Sequence, residues 1–478
     1  MSQGRCKLAG LGGGCGSRVI RCAERSARKA APLTGGPSGG TLPLMQAMGS
    51  MGGVPVVLML GVALAFGCGD DDGDGEETDA GIDQGPPDLG PPDPGPEPIP
   101  KRPWVVGVNT TMAMVRWETP EEPESVELTL TPEAGGEART LEGTFRTDTL
   151  TLEHGADLAA VELPDIAGTY YLQQVTIDEL TPNTCYTYEV AAIEESGRFC
   201  TAHEPTDHTT PIELLVIGDT SPVLGGTDPL IEAIVDDAIE MTIHAGDLQY
   251  YDALFETWAV WFPAHAPILA QGAFWPTIGN HEEERDGEYD QTYARYFEDP
   301  SLTEAGEPDG NTAAYHFQSG GVHFFSVNSE DDIGEFDDDF SWLDEALTAA
   351  EATEGHRFSV VFFHRPIWTL ARHAPSESLR AVIDPILDAH DVPLVLQGHN
   401  HVYERFEVEG RTYIVTGGGG SGLYELNAHL EDRPDEVPLR VAAGVFQHGV
   451  RITIRETEMD LRAIDKDGTI QDEVTLTF

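Results

Sequence analysis

The sequence predicts two folded domains, an all-β domain over residues 103–210 and an α/β domain over 211–478. Three observations carry this reading. Alternating and β-branched runs separated by Pro, Gly and Asp fill the first part. From Pro211 they give way to apolar strands alternating with helical patterns. Gly-Asp, Gly-Asn-His and Gly-His motifs recur just past those strands, where an open α/β sheet places its site. A chain of 478 residues with 7 Trp, 13 Tyr and 18 Phe has ample material for two cores.

Residues 1–102 read differently. Val54–Phe66 is an apolar run of 13 residues, short for a bilayer span and suited to a signal-peptide core. It ends in Leu64-Ala65-Phe66-Gly67-Cys68, which resembles a bacterial lipoprotein cleavage site. That resemblance implies a signal region over 1–67, cleavage before Cys68, and lipid on the Cys68 sulfur. Residues 68–102 are then the lipidated Cys and a disordered tether of Asp, Glu, Gly and Pro. At ~3.1 Å per residue it could hold the body on the order of 100 Å from a membrane. The expected location is the bacterial cell envelope, anchored at Cys68, or otherwise outside the cell; the membrane is reached only through the N-terminal lipid. Export fits the cysteines: past Cys68 only Cys185 and Cys200 remain, and a bridge between them would stabilise by ~3 kcal/mol.

With 27 basic and 83 acidic residues the net charge is −56. This argues against nucleic acid as a structural partner and repels anionic substrates at long range. Any phosphate specificity must therefore come from local cations.

In the all-β part, Val126–Thr131 and Cys185–Val190 read as strands. The phrase Leu180-Thr181-Pro182-Asn183-Thr184-Cys185-Tyr186-Thr187-Tyr188 resembles a hairpin of fibronectin type III-like sandwiches. In the α/β part, strands are expected at Ile212–Ile217, Met241–His244, Arg357–Phe363, Pro393–Leu396 and Thr412–Thr416. Helices are expected at Leu230–Glu240, Ser341–Glu351 and Ser378–His390, the last interrupted by Pro385. Gly449–Phe478 reads as strands closing the second sheet, with His448 before it structural. Gly417–Gly420 lacks the Lys and Ser/Thr of a phosphate-cradling loop and reads as a close backbone approach beneath the site.

Five of the motifs together supply Asp219, Asp247, Tyr250, Asn280, His364, His399 and His401. Singly each is a turn, a cap or a polar loop. In this order, on one side of one sheet, they form a donor set able to hold two metal ions about 3.5–4 Å apart. Such a pair lowers the pKa of water and stabilises in-line displacement at phosphorus.

These blocks resemble the metallophosphoesterase superfamily, and specifically the purple acid phosphatases. The points of likeness are Asp247 followed by Tyr250, Gly279–Glu282 (GNHE) and Gly398–Arg405 (GHNHVYER). The resemblance implies a two-sheet sandwich flanked by helices, preceded by the fibronectin III-like domain. It implies that Asp219, Tyr250 and His401 bind Fe(III). It also implies that Asn280, His364 and His399 bind a divalent ion (Zn, Fe or Mn) and that Asp247 bridges the two. The donor chemistry agrees: phenolate and carboxylate suit Fe(III), imidazole and amide the divalent ion. His281 is the candidate to orient phosphate and protonate the leaving group, and His373 a substrate contact. The implied activity is acid phosphatase hydrolysis of small phosphate monoesters, with an acidic optimum. The alternatives are a phosphodiesterase or nucleotide pyrophosphatase on the same scaffold, and a non-catalytic surface binding protein. Two departures bear on the site: Ser221 stands where many family members have Gly, and His364 is followed by Arg365-Pro366.

Overall fold

The computed structural model describes residues 101–150, 168–221, 227–236, 238–250, 255–282, 288–298, 314–330 and 336–478. The signal region, Cys68 and the tether up to residue 100 lie outside the described residues, as does most of the loop from Glu282 to Gly310. Among the described residues, no helix is long and apolar enough to cross a membrane.

The first strands are β1 (Lys101–Val106), β2 (Ala113–Thr119), β3 (Glu127–Pro132), β4 (Arg139–Glu142), β5 (Thr144–Leu150), β6 (Gly168–Ile177), β7 (Cys185–Val190) and β8 (Glu195–Cys200). Lys101 and Arg102, expected in the tether, instead open β1, because Lys101 is buried against Glu118 of β2. Cys185 and Cys200 face each other across the β7/β8 ladder and form a disulfide.

The α/β part then runs β9 (Ile212–Ile217), α1 (Thr227–Ile234), β10 (Met241–His244), α2 (Phe255–Leu269), β11 (Ala273–Pro276), α3 (Glu288–Gln291) and α4 (Tyr293–Phe297). It continues through β12 (Tyr315–Ser319), β13 (Val322–Ser326), α5 (Phe336–Glu351), β14 (Phe358–Phe362), α6 (Glu377–Ala389), β15 (Leu394–Gln397), β16 (Tyr403–Val408) and β17 (Arg411–Thr416). Last come β18 (Arg440–Gly444), β19 (His448–Ile454), β20 (Glu458–Asp465) and β21 (Ile470–Thr477).

Two sheets form the α/β sandwich. One runs β21-β20-β19-β9-β10-β11-β1-β2-β6-β5, the other β12-β13-β14-β15-β17-β16-β18. Period-2 alternation divides their side chains between layers. Leu214, Val216 and Ile243 face Phe324, Val360, Phe362 and Leu396 between the sheets. Leu215 and Ile217 face Leu230, Trp258 and Trp261 of α1 and α2. On the other side, Val361 and Val395 meet Leu343 of α5 and Leu379, Ile383 and Leu387 of α6. The result is an α/β/β/α layering, as expected. The first sheet crosses the domain boundary, since β1 pairs with β11 in parallel at Val105 and Ala273. A smaller sheet, β4-β3-β7-β8, packs on the β1-β2-β6 end through Leu128, Leu130, Tyr188 and Val175.

Three local expectations are corrected. The helix expected at Leu230–Glu240 spans Thr227–Ile234, because the Asp236 carboxylate accepts the Ala238 N–H and pairs with Arg451, which stops the helix. Helix α6 runs through Pro385, which lies on the exposed face while Leu379, Ile383 and Leu387 anchor the other. The terminal strands extend the sheet begun by β9, pairing Ile452 with Leu214, rather than closing the second sheet.

Candidate metal centre

Strands β9, β10 and β11 run parallel, as do β13, β14, β15 and β17, and the seven donors come from the loops around these strand ends. The loops turn so sharply that Asp219, Asp247 and His399 take φ of +57°, +53° and +66°. Few non-glycine residues adopt that backbone without compensation. Here the turns are laced together. Asp219 N donates to Gly246 O at 3.0 Å, Thr220 N to Asp247 O at 3.0 Å, and His399 N to Asp219 Oδ2 at 3.0 Å. At Gly279 a Cβ would lie 2.2 Å from Asp247 Oδ1, so only glycine fits. Gly417 passes nearly as close, its Cβ position 2.3 Å from Asn400 O and 2.9 Å from Asp219 Oδ2, as the glycine run was expected to do.

All seven predicted donors meet. Asp247, His364 and His399 place ligand-type atoms within 4.8 Å of one another, and so do Asp219, Asp247 and His401. Asp247 belongs to both groups. The Tyr250 hydroxyl donates to Asp219 Oδ1 at 3.2 Å and lies 2.8 Å from His401 Nε2. Asn280 Oδ1 lies 3.2 Å from His364 Nε2, which is 3.1 Å from Asp247 Oδ2.

The outer atoms are held too. His364 Nδ1 sits 2.8 Å from Ala245 O, and His401 Nδ1 2.6 Å from Gly422 O. A ring whose Nδ1–H is committed to a carbonyl presents Nε2 as the acceptor, the tautomer a metal needs.

Burial pushes the Tyr250 phenol well above its ordinary pKa, and the Asp219 and Asp247 carboxylates push it further. Burial also opposes the Asp247 charge, but His364 and His281 outweigh it and hold the carboxyl well below its usual range. Against the same burial, Asp247 raises His364 to about 10. His399 is driven well down by burial and by His364. The cluster thus holds the buried Asp247 charge beside protons on Tyr250 and His364 that a cation would displace.

His281 and His373 flank the cluster. The His281 N–H donates to Asp247 Oδ1 at 3.0 Å and its ring lies 4.2 Å from that of Tyr250. The His373 ring lies 4.6 Å from that of His399. Ser221 is buried without positive φ, so its side chain strains nothing in the loop. Its neighbour Thr220 donates to Leu248 O at 2.8 Å and accepts from Trp261 Nε1 at 3.0 Å.

Three supporting residues carry no sequence signal beyond their place in the quoted motifs. Glu282 is fully buried and accepts N–H groups from Asp247 at 3.0 Å, Leu248 at 2.8 Å and Gly279 at 2.8 Å. It clamps two ligand loops together. Asn400 holds the His373 backbone through both amide atoms at 2.9 Å. Glu404 accepts from Leu370 N at 3.1 Å and Arg440 Nη1 at 2.8 Å, fixing the segment that leads to His373.

Residues 212–403 match the family model for calcineurin-like phosphoesterases. Those residues thus carry a calcineurin-like phosphoesterase domain, and the chain is similar to the purple acid phosphatases. Purple acid phosphatase 18 of Arabidopsis thaliana is 25% identical over 64% of this chain and 71% of its own length. Phosphoenolpyruvate phosphatase of Allium cepa is 22% identical over 61% of each chain. Another Arabidopsis thaliana relative, purple acid phosphatase 9, has "inactive" in its name; the match spans 44% of it, and 57% of purple acid phosphatase 13. Among solved structures, a purple acid phosphatase from yellow lupin (Lupinus luteus) seeds aligns over 79% of this chain and 74% of its own. Its TM-score is 0.60 at 18% identity. PhoD aligns over 78% and 88%, with a TM-score of 0.52 at 12% identity. At those identities the likeness is one of fold. The family match supports metal-dependent hydrolysis of phosphate esters as the chemistry of this domain.

Proposed function

We propose that this metallophosphoesterase is a phosphomonoesterase with a mixed Fe(III)–M(II) centre. In this reading Asp219, Tyr250 and His401 would hold the ferric ion, Asn280, His364 and His399 would hold zinc, ferrous iron or manganese, and Asp247, common to both donor groups, would serve both. The observation that carries it is the sharing of Asp247 by two buried donor groups, with Tyr250 in only one. A phenol already pushed upward by burial and two carboxylates stays protonated unless a strong Lewis acid takes the proton's place. That is the support for iron on the tyrosine side.

Bound there, the two ions would supply positive charge for the phosphate oxygens and the acidity that activates water. The chain's own residues do the rest. His281, fixed through its backbone N–H to Asp247 and with Nε2 4.0 Å from Asp247 Oδ2, is the group that would deliver a proton to the departing ester oxygen. His373, set by Asn400, lies over His399 where a phosphate oxygen would rest. Glu282 keeps the Asp247 and Gly279 loops in register.

The strand orders β1-β2-β6-β5 and β4-β3-β7-β8, with the cystine across β7 and β8, support a fibronectin III-like reading of the N-terminal domain. Among the described residues it contributes no donor to the site.

Steady-state kinetics on phenyl phosphate and diphenyl phosphate, before and after chelation and metal replacement, test the proposal. The expected result is a monoester kcat/KM well above the diester value, lost with the metal and peaking below neutral pH. Faster diester turnover would favour the phosphodiesterase reading. Turnover of neither substrate after reloading with iron and zinc would leave a binding protein.

A further inference from the structure

We propose that the Thr220 hydroxyl is the positioning group for the tyrosine side of the centre: it fixes the chain between Asp247 and Tyr250 against Asp219, and so governs the affinity for the ferric ion while leaving the divalent ion's own donors alone. This deepens the mixed-metal reading and rests on it. The question it answers is how a phenol carried on an irregular loop is brought beside a carboxylate from another strand.

Past β10 the chain leaves the sheet at Gly246 and Asp247, both with positive φ. The buried peptide groups that follow must find partners outside the strand ladder. Leu248 is pinned at both ends: its N–H donates to Glu282 Oε1 at 2.8 Å, and its carbonyl accepts from Thr220 Oγ1 at 2.8 Å. The Thr220 N–H donates in turn to Asp247 O at 3.0 Å. One residue, the neighbour of Asp219, thus holds two successive carbonyls of the loop that ends in Tyr250. At that end the Tyr250 hydroxyl reaches Asp219 Oδ1 at 3.2 Å.

The Thr220 hydroxyl is fully buried and fully used. It has one hydrogen and two lone pairs. The hydrogen is committed to Leu248 O, and the lone pairs face Trp261 Nε1 and His244 Nε2, each at 3.0 Å. Trp261 comes from α2 and His244 from the end of β10, so the helix layer and the sheet both anchor the hydroxyl. None of these bonds reaches Asn280, His364 or His399, which follow β11, β14 and β15. His364, for one, is held through Nδ1 by Ala245 O at 2.8 Å. Removing the hydroxyl therefore releases one half of the centre. Valine fills the same space but strands the Leu248 carbonyl and two buried N–H groups.

The test loads wild-type protein and variants with iron and zinc and follows two quantities that need no turnover. These are the dissociation constant of each ion, by competition with a chelator, and the position of the visible band. In Thr220→Val the iron constant should rise by about 10–100-fold, with a much smaller change for zinc, and the band should move. Thr220→Ser keeps the hydroxyl and should restore both. Thr220→Ala leaves room for a water beside the stranded donors, and should change in the same direction if Thr220→Val does not fold. Trp261→Phe removes one buried donor but not the bond to Leu248. It should lower stability in urea without moving the band or the ratio of the two constants. An equal loss of both ions in Thr220→Val, an unmoved band, or a Trp261→Phe protein that behaves like Thr220→Val would overturn the inference and leave the mixed-metal reading standing. A wild-type protein that takes up no iron, or shows no band, would remove that reading and this inference with it.

Discussion

Among the described residues, two of the buried clusters of acidic and basic groups are completed in opposite ways. Where the N-terminal strands meet α4, Glu118 is buried between Lys101 and Arg295, both bonded to its carboxylate. Burial works against the Glu118 charge, yet the two cations hold its pKa below the usual value. Arg295 Nε also reaches Asp148 at 3.2 Å, and Arg116 Nη1 donates to Tyr296 O at 3.1 Å. That cluster is neutralised by its own side chains and joins two domains. In the metal centre, Asp219 and Asp247 are just as buried but meet imidazoles, a phenol and backbone N–H groups. The comparison separates architecture from function: a carboxylate closed by permanently charged Lys and Arg holds elements together, while one whose partner is an imidazole with a displaceable proton suits exchange for an ion.

Substitutions on the two sides should therefore break different things. Asp247→Asn is expected to have the largest effect on chemistry, with phosphatase activity near background and metal content reduced by elemental analysis. Its chelated form should lose less stability in urea than Glu118→Gln does. Glu118→Gln reverses the pattern. Leaving Lys101 and Arg295 buried without their carboxylate should cost ~3–5 kcal/mol in urea unfolding, with both ions retained by the folded fraction.

Glu282→Gln lies between the two, because it touches the ligand loops and no ion. Calorimetric metal affinity should fall by about 10–100-fold while the fold persists. The protonation state of the site gives a further contrast. In the metal-free protein the pKa of His364 stands at about 10 against an ordinary 6.5, so its stabilisation is complete below pH 6.5 and fades as pH rises through about 10. Asp247, held low, adds stabilisation above its ordinary 3.8 that is lost in stronger acid. An ion must displace the His364 proton, so loading at pH 7 should release protons and weaken as pH falls. Titrations in two buffers of different ionisation enthalpy measure the release. The smallest effect is expected at the edge of the domain junction. Arg146→Gln breaks a half-exposed pair with Glu298 and should cost under ~1 kcal/mol.

The site was more legible in the sequence than its support. Asp219, Asp247, His364 and His399 each follow a short apolar strand that the local pattern announced, whereas the strand before Asn280, β11, went unread. Tyr250 needed the spacing from Asp247. Glu282, Asn400 and Glu404 stood in the same motifs without a readable role, because their partners are backbone groups that only the folded loops bring near. Helix α2 went unread because Pro263 and Pro267 break its pattern, although Trp258, Trp261 and Phe262 bury its inner face. The junction at Glu118 was equally hidden, since Lys101, Glu118 and Arg295 are too distant in sequence for any local signal.

The most direct test of the central claim is a visible absorption spectrum of the purified protein, with metal analysis, beside that of Tyr250→Phe. The account predicts two ions per chain, one of them iron, and a broad visible band that disappears when the phenol is removed. A colourless wild-type protein holding two divalent ions, or a band that survives Tyr250→Phe, would contradict it.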